Sequence, residues 1–82
     1  VVEVIFAQEN WQIFPNPVSS VLYISPPEQG SYLYVVYDMY GREMIKGENL
    51  QQIDISSWGS GAYFLRVSQK GKSFMTQFWI QN

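Results

Sequence analysis

Apolar and polar positions along this chain alternate with a period close to two. No dozen-residue window carries the i, i+3, i+4, i+7 spacing of an amphipathic helix free of glycine, proline or β-branched residues. A chain written this way buries its apolar side chains by layering short strands, because successive side chains of a strand point to opposite faces. In "AYFLRVS", Tyr63, Leu65 and Val67 share one face and oppose Phe64 and Arg66. In "YLYVVYD", the alternation assigns Leu33, Val35 and Tyr37 to the core and Tyr32, Tyr34 and Val36 to the other face. Strands are predicted at Val2–Phe6, Val21–Ser25, Tyr32–Tyr37, Glu43–Gly47, Gln52–Ile55, Ala62–Gln69 and Lys72–Ile80, each followed by residues with turn chemistry. Short strands with a turn roughly every eight to twelve residues predict an all-β, immunoglobulin-like β-sandwich of about seven antiparallel strands, with a small open barrel as the alternative.

Two turns are readable in detail. In "YDMYGRE", Asp38 can accept hydrogen bonds from amides two residues on, and Gly41 can take the left-handed conformation, which makes Tyr32–Gly47 a hairpin. "SSWGSGAY" sets Gly59 and Gly61 about Ser60 as a tight corner, with Trp58 plugging the end of the core. At 82 residues the chain supports one core. Residues 1–10 are assigned to an N-terminal strand and a joint, with "AQEN" as the flexible piece, and residues 11–82 to the domain itself. "VVEVIFA" is too short to span a bilayer, and the chain, which lacks an initiating methionine, reads as a piece of a larger protein.

Composition narrows the chemistry. Without cysteine there is neither a disulfide framework nor a thiolate metal site, and without histidine the commonest general base and metal ligand is missing. A net charge of −2 argues against nucleic acid, which requires a concentrated basic face. Every acidic residue lies at or before Asp54, and Arg66, Lys70 and Lys72 form a mildly basic last third that is too sparse for a polybasic membrane anchor. Asp38, Glu43, Glu48 and Asp54 show no spacing that pins two carboxylates on one face, and the serine pairs have no histidine to activate them. "GSG" and "KGK" do not lead a strand into a helix and so are not phosphate loops. No catalytic, cofactor or metal residues are expected, and the chain reads as a non-enzyme.

Tyr32, Tyr34, Val36, Phe64, Met75 and Trp79, all placed outward, would give the sheet an apolar outer face where a solvated face is normally polar. Such a face either docks a partner or lies under loops or the Val1–Phe6 segment. Two readings follow from it: a carbohydrate-binding module that stacks sugars on Tyr32, Tyr34, Phe64 and Trp79, or a structural immunoglobulin-like spacer. A homodimer through this face or through an unprotected edge strand is a further expectation. "FPNP" has a local explanation, since Pro15 and Pro17 fix φ and push Phe14 and Asn16 toward extended geometry, stiffening the approach to the next strand with Phe14 as an apolar plug.

The order of these motifs carries more than any one of them. "FPNPVSSVLYI", "VYDMYGREM", "IDISSWGSGAYFLRV" and the closing "FMTQFWI" together resemble the type A C-terminal sorting domain of type IX (Por) secretion cargo in Bacteroidota, over Ile13 to about Ile80. The chain departs from that pattern at Trp58, where leucine is usual, and at its end, where Thr76, Gln77, Gln81 and Asn82 stand in place of the usual lysines. The resemblance implies a non-catalytic signal behind a cargo domain. The cargo would pass from the periplasm through an outer-membrane translocon to the cell surface or medium, and a sortase-like protease would then remove the signal. It further implies Pro15, Asn16, Pro17, Asp38, Gly41, Arg42, Gly61 and Tyr63 as motif and scaffold residues. Lys72, Phe74, Phe78, Trp79 and Ile80 are the expected translocon contacts.

Overall fold

The computed structural model describes residues 4–5, 11–14 and 20–81, with Val4 and Ile5 as backbone only. The strands are β1 (Val4–Ile5), β2 (Gln12–Phe14), β3 (Val21–Ser25), β4 (Leu33–Asp38), β5 (Glu43–Glu48), β6 (Gln52–Asp54), β7 (Gly61–Gln69) and β8 (Lys72–Ile80). They form two antiparallel four-stranded sheets, ordered β1-β2-β3-β6 and β5-β4-β7-β8. The chain changes sheet between β3 and β4, between β5 and β6 and between β6 and β7, so β3 lies beside β6 and β4 beside β7. Strands β2 to β8 are thereby arranged as an immunoglobulin-like sandwich, and the expected fold class holds.

Strand β2 is absent from the sequence-based prediction. It is only three residues long and lies between Trp11 and the proline pair, too short for an alternation to register. Its middle residue, Ile13, pairs with Ile24 of β3 and is fully buried.

The two sheets face each other across one core. Ile13, Leu22, Ile24 and Ile53 project from one sheet, and Tyr34, Val36, Leu65, Val67, Phe78 and Ile80 from the other. Trp11 closes one end, its ring edge-on to Tyr32 at 5.3 Å between centroids. Phe14 stacks on Tyr23 at 5.4 Å and is half-buried.

On β4 the sequence-based assignment of faces is reversed. Tyr34 and Val36 point into the core, whereas Leu33 is 53% exposed and Val35 and Tyr37 are half-buried on the outside. Tyr32, just before the strand, is also buried. Every residue from Tyr32 to Tyr37 is apolar or aromatic, so the alternation within this strand cannot choose a face. The neighbours choose it: Tyr34 and Val36 stand opposite Val67 and Leu65 on β7 and opposite Gly47 and Ile45 on β5. Their alternates, Leu33 and Val35, stand opposite Ser68 and Arg66 on β7 and opposite Glu48 and Lys46 on β5, whose polar groups require water. The buried tyrosines are accommodated as well, since the Tyr32 hydroxyl donates to the Leu50 carbonyl at 2.6 Å. Tyr34 lies over Gly47, where a Cβ would meet its hydroxyl oxygen at 2.7 Å.

Candidate functional site

The "YDMYGRE" and "SSWGSGAY" motifs meet at one end of the sandwich. The β4–β5 turn forms as its sequence anticipates: Asp38 N–H donates to the Arg42 carbonyl at 2.9 Å, and Gly41 N–H donates to the Asp38 carbonyl at 3.0 Å, with Gly41 at φ +82°. The buried Asp38 carboxylate ties this loop together. One oxygen accepts from the backbone N–H groups of Tyr40 and Arg42, both at 2.9 Å, and the other from Arg42 Nε at 2.7 Å. Burial pushes the carboxyl's pKa up, but the backbone and side-chain donors of Arg42, with the Tyr40 amide, outweigh it and hold Asp38 below the ordinary carboxylate range. The Arg42 guanidinium, pinned through Nε, is otherwise exposed and lies 5.7 Å from the centroid of the Tyr40 ring.

Asp38 stands opposite Tyr63 at the start of β7, which brings the second motif against the first. The Tyr63 hydroxyl donates to the Gly59 carbonyl four residues upstream at 2.7 Å. This is the arrangement of a tyrosine corner, which staples the β6–β7 connection of an immunoglobulin-like sandwich to the strand that follows it. Trp58 packs beside Tyr63 at 5.6 Å, partly buried against the core as the plug expected of it, and Tyr63 stacks on Phe78 at 5.9 Å. Upstream, Asp54 accepts from the hydroxyl and N–H of Ser56, and these bonds lower its pKa against the opposing effect of burial. Asp38, Arg42, Gly61 and Tyr63 line a shallow cleft of about 200 Å³ rimmed by Met39 and Tyr40. Pro15, Asn16 and Pro17 lie outside the described residues.

The last strand separates the five expected contact residues into two groups. Phe78 and Ile80 are buried, paired with Tyr63 and Gly61 on β7, and belong to the core. Phe74 is half-buried against the core, while Lys72 and Trp79 are exposed. Because outward positions on β8 alternate with these core residues, Met75 and Gln77 share the outer face with Trp79. The alternation of "KSFMTQFWI" is sufficient to find them.

The outer face of this sheet therefore carries Leu33, Val35, Tyr37, Phe64, Met75 and Trp79, interspersed with Lys46 and Arg66. The stacking platform suggested for sugars does not assemble, because Tyr32 and Tyr34 are in the core. At the opposite end of the sandwich, Gln69 Nε2 donates to the Glu28 carbonyl at 3.1 Å, and Lys70 pairs with the Glu28 carboxylate at 3.3 Å, tying the β3–β4 connection to the β7–β8 turn. Among the described residues no cluster of acidic side chains is grouped to hold a metal ion.

Compared with known families, residues 12–81 match the model for secretion system C-terminal sorting domains. No curated protein matches the chain.

Proposed function

The chain belongs to the family of type IX secretion system C-terminal sorting domains, and from that premise we propose that residues 11–82 act as a non-catalytic export signal read in the folded state. The observation that carries this reading is the extent of the match, which runs from β2 to just past β8 and so takes in every strand of the sandwich except β1. In this reading the domain follows a cargo domain through residues 1–10 and passes with it through the periplasm. An outer-membrane translocon component recognises the domain, and a sortase-like protease cuts within the joint, leaving the cargo at the surface or in the medium.

The fold limits what such a component can touch. Phe78 and Ile80 hold the sandwich together, so the last strand presents to a partner its exposed side chains, Lys72, Ser73, Met75, Gln77 and Trp79, and its backbone edge. Edge addition by a translocon strand uses that backbone. Asp38, Gly41, Arg42, Gly61 and Tyr63 serve by keeping the end of the sandwich rigid.

The test is a fusion of residues 1–82 behind a periplasmically exported fluorescent protein, expressed in a type IX-competent bacterium and in a translocon-deficient control. Fluorescence at the surface or in the medium of the competent strain alone is the expected result. Periplasmic retention of the folded fusion in both strains would overturn the proposal. Deleting Phe74–Asn82 is a poor substitute, because it removes core residues and confounds unfolding with loss of recognition.

A further inference from the structure

Each sheet ends in two edge strands, and three of the four are blunted. β1 and β6 are two and three residues long, and β6 ends in Asp54. β5 carries Glu43, Lys46 and Glu48, and its register slips between Val36 and Tyr37 of β4, leaving Met44 as the extra residue of a bulge. Short length, charge and bulges are the devices that keep an edge from pairing with another chain. β8 has only a single charge, Lys72 at its first residue: it is nine residues long, regularly paired with β7 throughout, and carries neither charge nor proline from Ser73 to Ile80.

We propose that β8 pairs with the β8 of a second copy of this chain, joining two sandwiches into a symmetric dimer with one continuous eight-stranded sheet. The occupant follows from the edges themselves, since the only bare described edge that a second copy offers is its own β8. A contact made by the same patch on both partners closes at two subunits and does not propagate.

The sequence of the strand is also complementary to its own reverse. With the two-fold axis at Thr76, Phe74 stands opposite the second copy's Phe78, Met75 opposite its Gln77, and Ser73 opposite its Trp79. No like charges meet, because Lys72 falls opposite Ile80. This register keeps core-facing residues on one side and outer-face residues on the other in both copies. Any shift by one residue would turn the core face of one copy toward the outer face of its partner. The dimer occupies the edge that the export proposal offers to the translocon, so the two pairings exclude each other, yet self-pairing is measured without any secretion component and stands or falls independently.

The test is sedimentation equilibrium of residues 1–82, from about 1 µM to about 1 mM, a range that spans weak to moderate protein association. The wild type is expected to shift from monomer to dimer and to stop there. M75E/Q77E changes two exposed positions, the first of them paired with Arg66 on β7. It sets glutamates against glutamates across the axis and is expected to weaken the dimer by about tenfold or more. M75E/Q77K sets glutamate against lysine and is expected to restore it. A wild type that stays monomeric throughout, or a dimer equally strong in M75E/Q77E, overturns the proposal. Amide exchange on the wild type gives a second measurement that needs no variant. Concentration-dependent protection in β8 but not in β5 is expected, and protection unchanged by concentration in both overturns it.

Discussion

β5 and β8 are the two edges of one sheet, and they are built in opposite ways. β5 is six residues with three charges, a bulge and a glycine, and only Ile45 and Gly47 on it are more than marginally shielded from solvent. β8 is nine residues whose inward positions include Phe78 and Ile80, buried to 0% and 2% exposure. A strand with charged side chains and a bulge is protected from other chains but contributes little to the core. A strand with a regular ladder and apolar inward residues holds the core but leaves its backbone open to pairing. Of the two edges of this sheet, the last strand is therefore both the one that contributes more to the core and the one whose backbone is more open to a partner.

The largest test of that contrast is truncation in the core face of each edge. Phe78→Ala is expected to cost about 3–5 kcal/mol, and Ile45→Ala, half-buried at the periphery, about 2 kcal/mol or less. Urea unfolding followed by tryptophan fluorescence measures both, and equal losses would break the comparison. Gly47→Ala is expected to cost about 1–3 kcal/mol, because its Cβ must displace the buried Tyr34 ring, with three ring or hydroxyl atoms between 2.7 and 3.1 Å away. A loss within about 0.5 kcal/mol, the level of an ordinary surface change, would show that Tyr34 has room to shift.

Acid separates the two hairpins more gently. The β4–β5 turn depends on an ionised Asp38 whose folded pKa lies below the ordinary aspartate value of 3.8. Its stabilisation is therefore complete above that value and is lost as pH falls through the lower, folded pKa. The β7–β8 turn rests instead on the positive φ angles of Lys70 and Gly71, a backbone conformation that does not titrate, and its ion pair to Glu28 is solvent-exposed on both sides and contributes little. Protection of β5 amides is expected to fall before that of β8 on acidification below about pH 4, and Asp38→Asn should remove the difference. Simultaneous loss in the wild type would count against a local role for Asp38. The smallest effect on stability is expected from K46T/E48T, within about 0.5 kcal/mol. Light scattering should nevertheless show more association, because the substitutions strip charge from a protected edge.

Much of this arrangement is legible in the strand patterns, and where the reading fails the reason is physical. β7 and β8 alternate clearly, with Arg66, Gln77 and the serines marking the solvent side, so their faces follow from sequence. The Asp38–Gly41 turn is equally legible, because its chemistry is contained within five residues. β4 misleads because a run of tyrosines, valine and leucine is compatible with burial on either face. β2 escapes notice because three residues carry no periodicity, and Tyr63 can be named as a motif residue without any sign that its hydroxyl reaches back to Gly59. The contact role expected of Phe78 and Ile80 rests on their position in the chain, which says nothing of which way a side chain points.

The all-β class, the turns whose donors and acceptors lie within a few residues of each other, and the order of motifs that marks the sorting-domain family are all readable along the chain. These depend on local interactions or on linear order, and both are present in the unfolded chain. Which face of β4 is buried, the meeting of the two signature turns at one end, and the places of β5 and β8 at the sheet's edges emerge from the assembled sheets alone. Each of these depends on which strands become neighbours, and a strand whose two faces are equally apolar takes its orientation from the strands it pairs with.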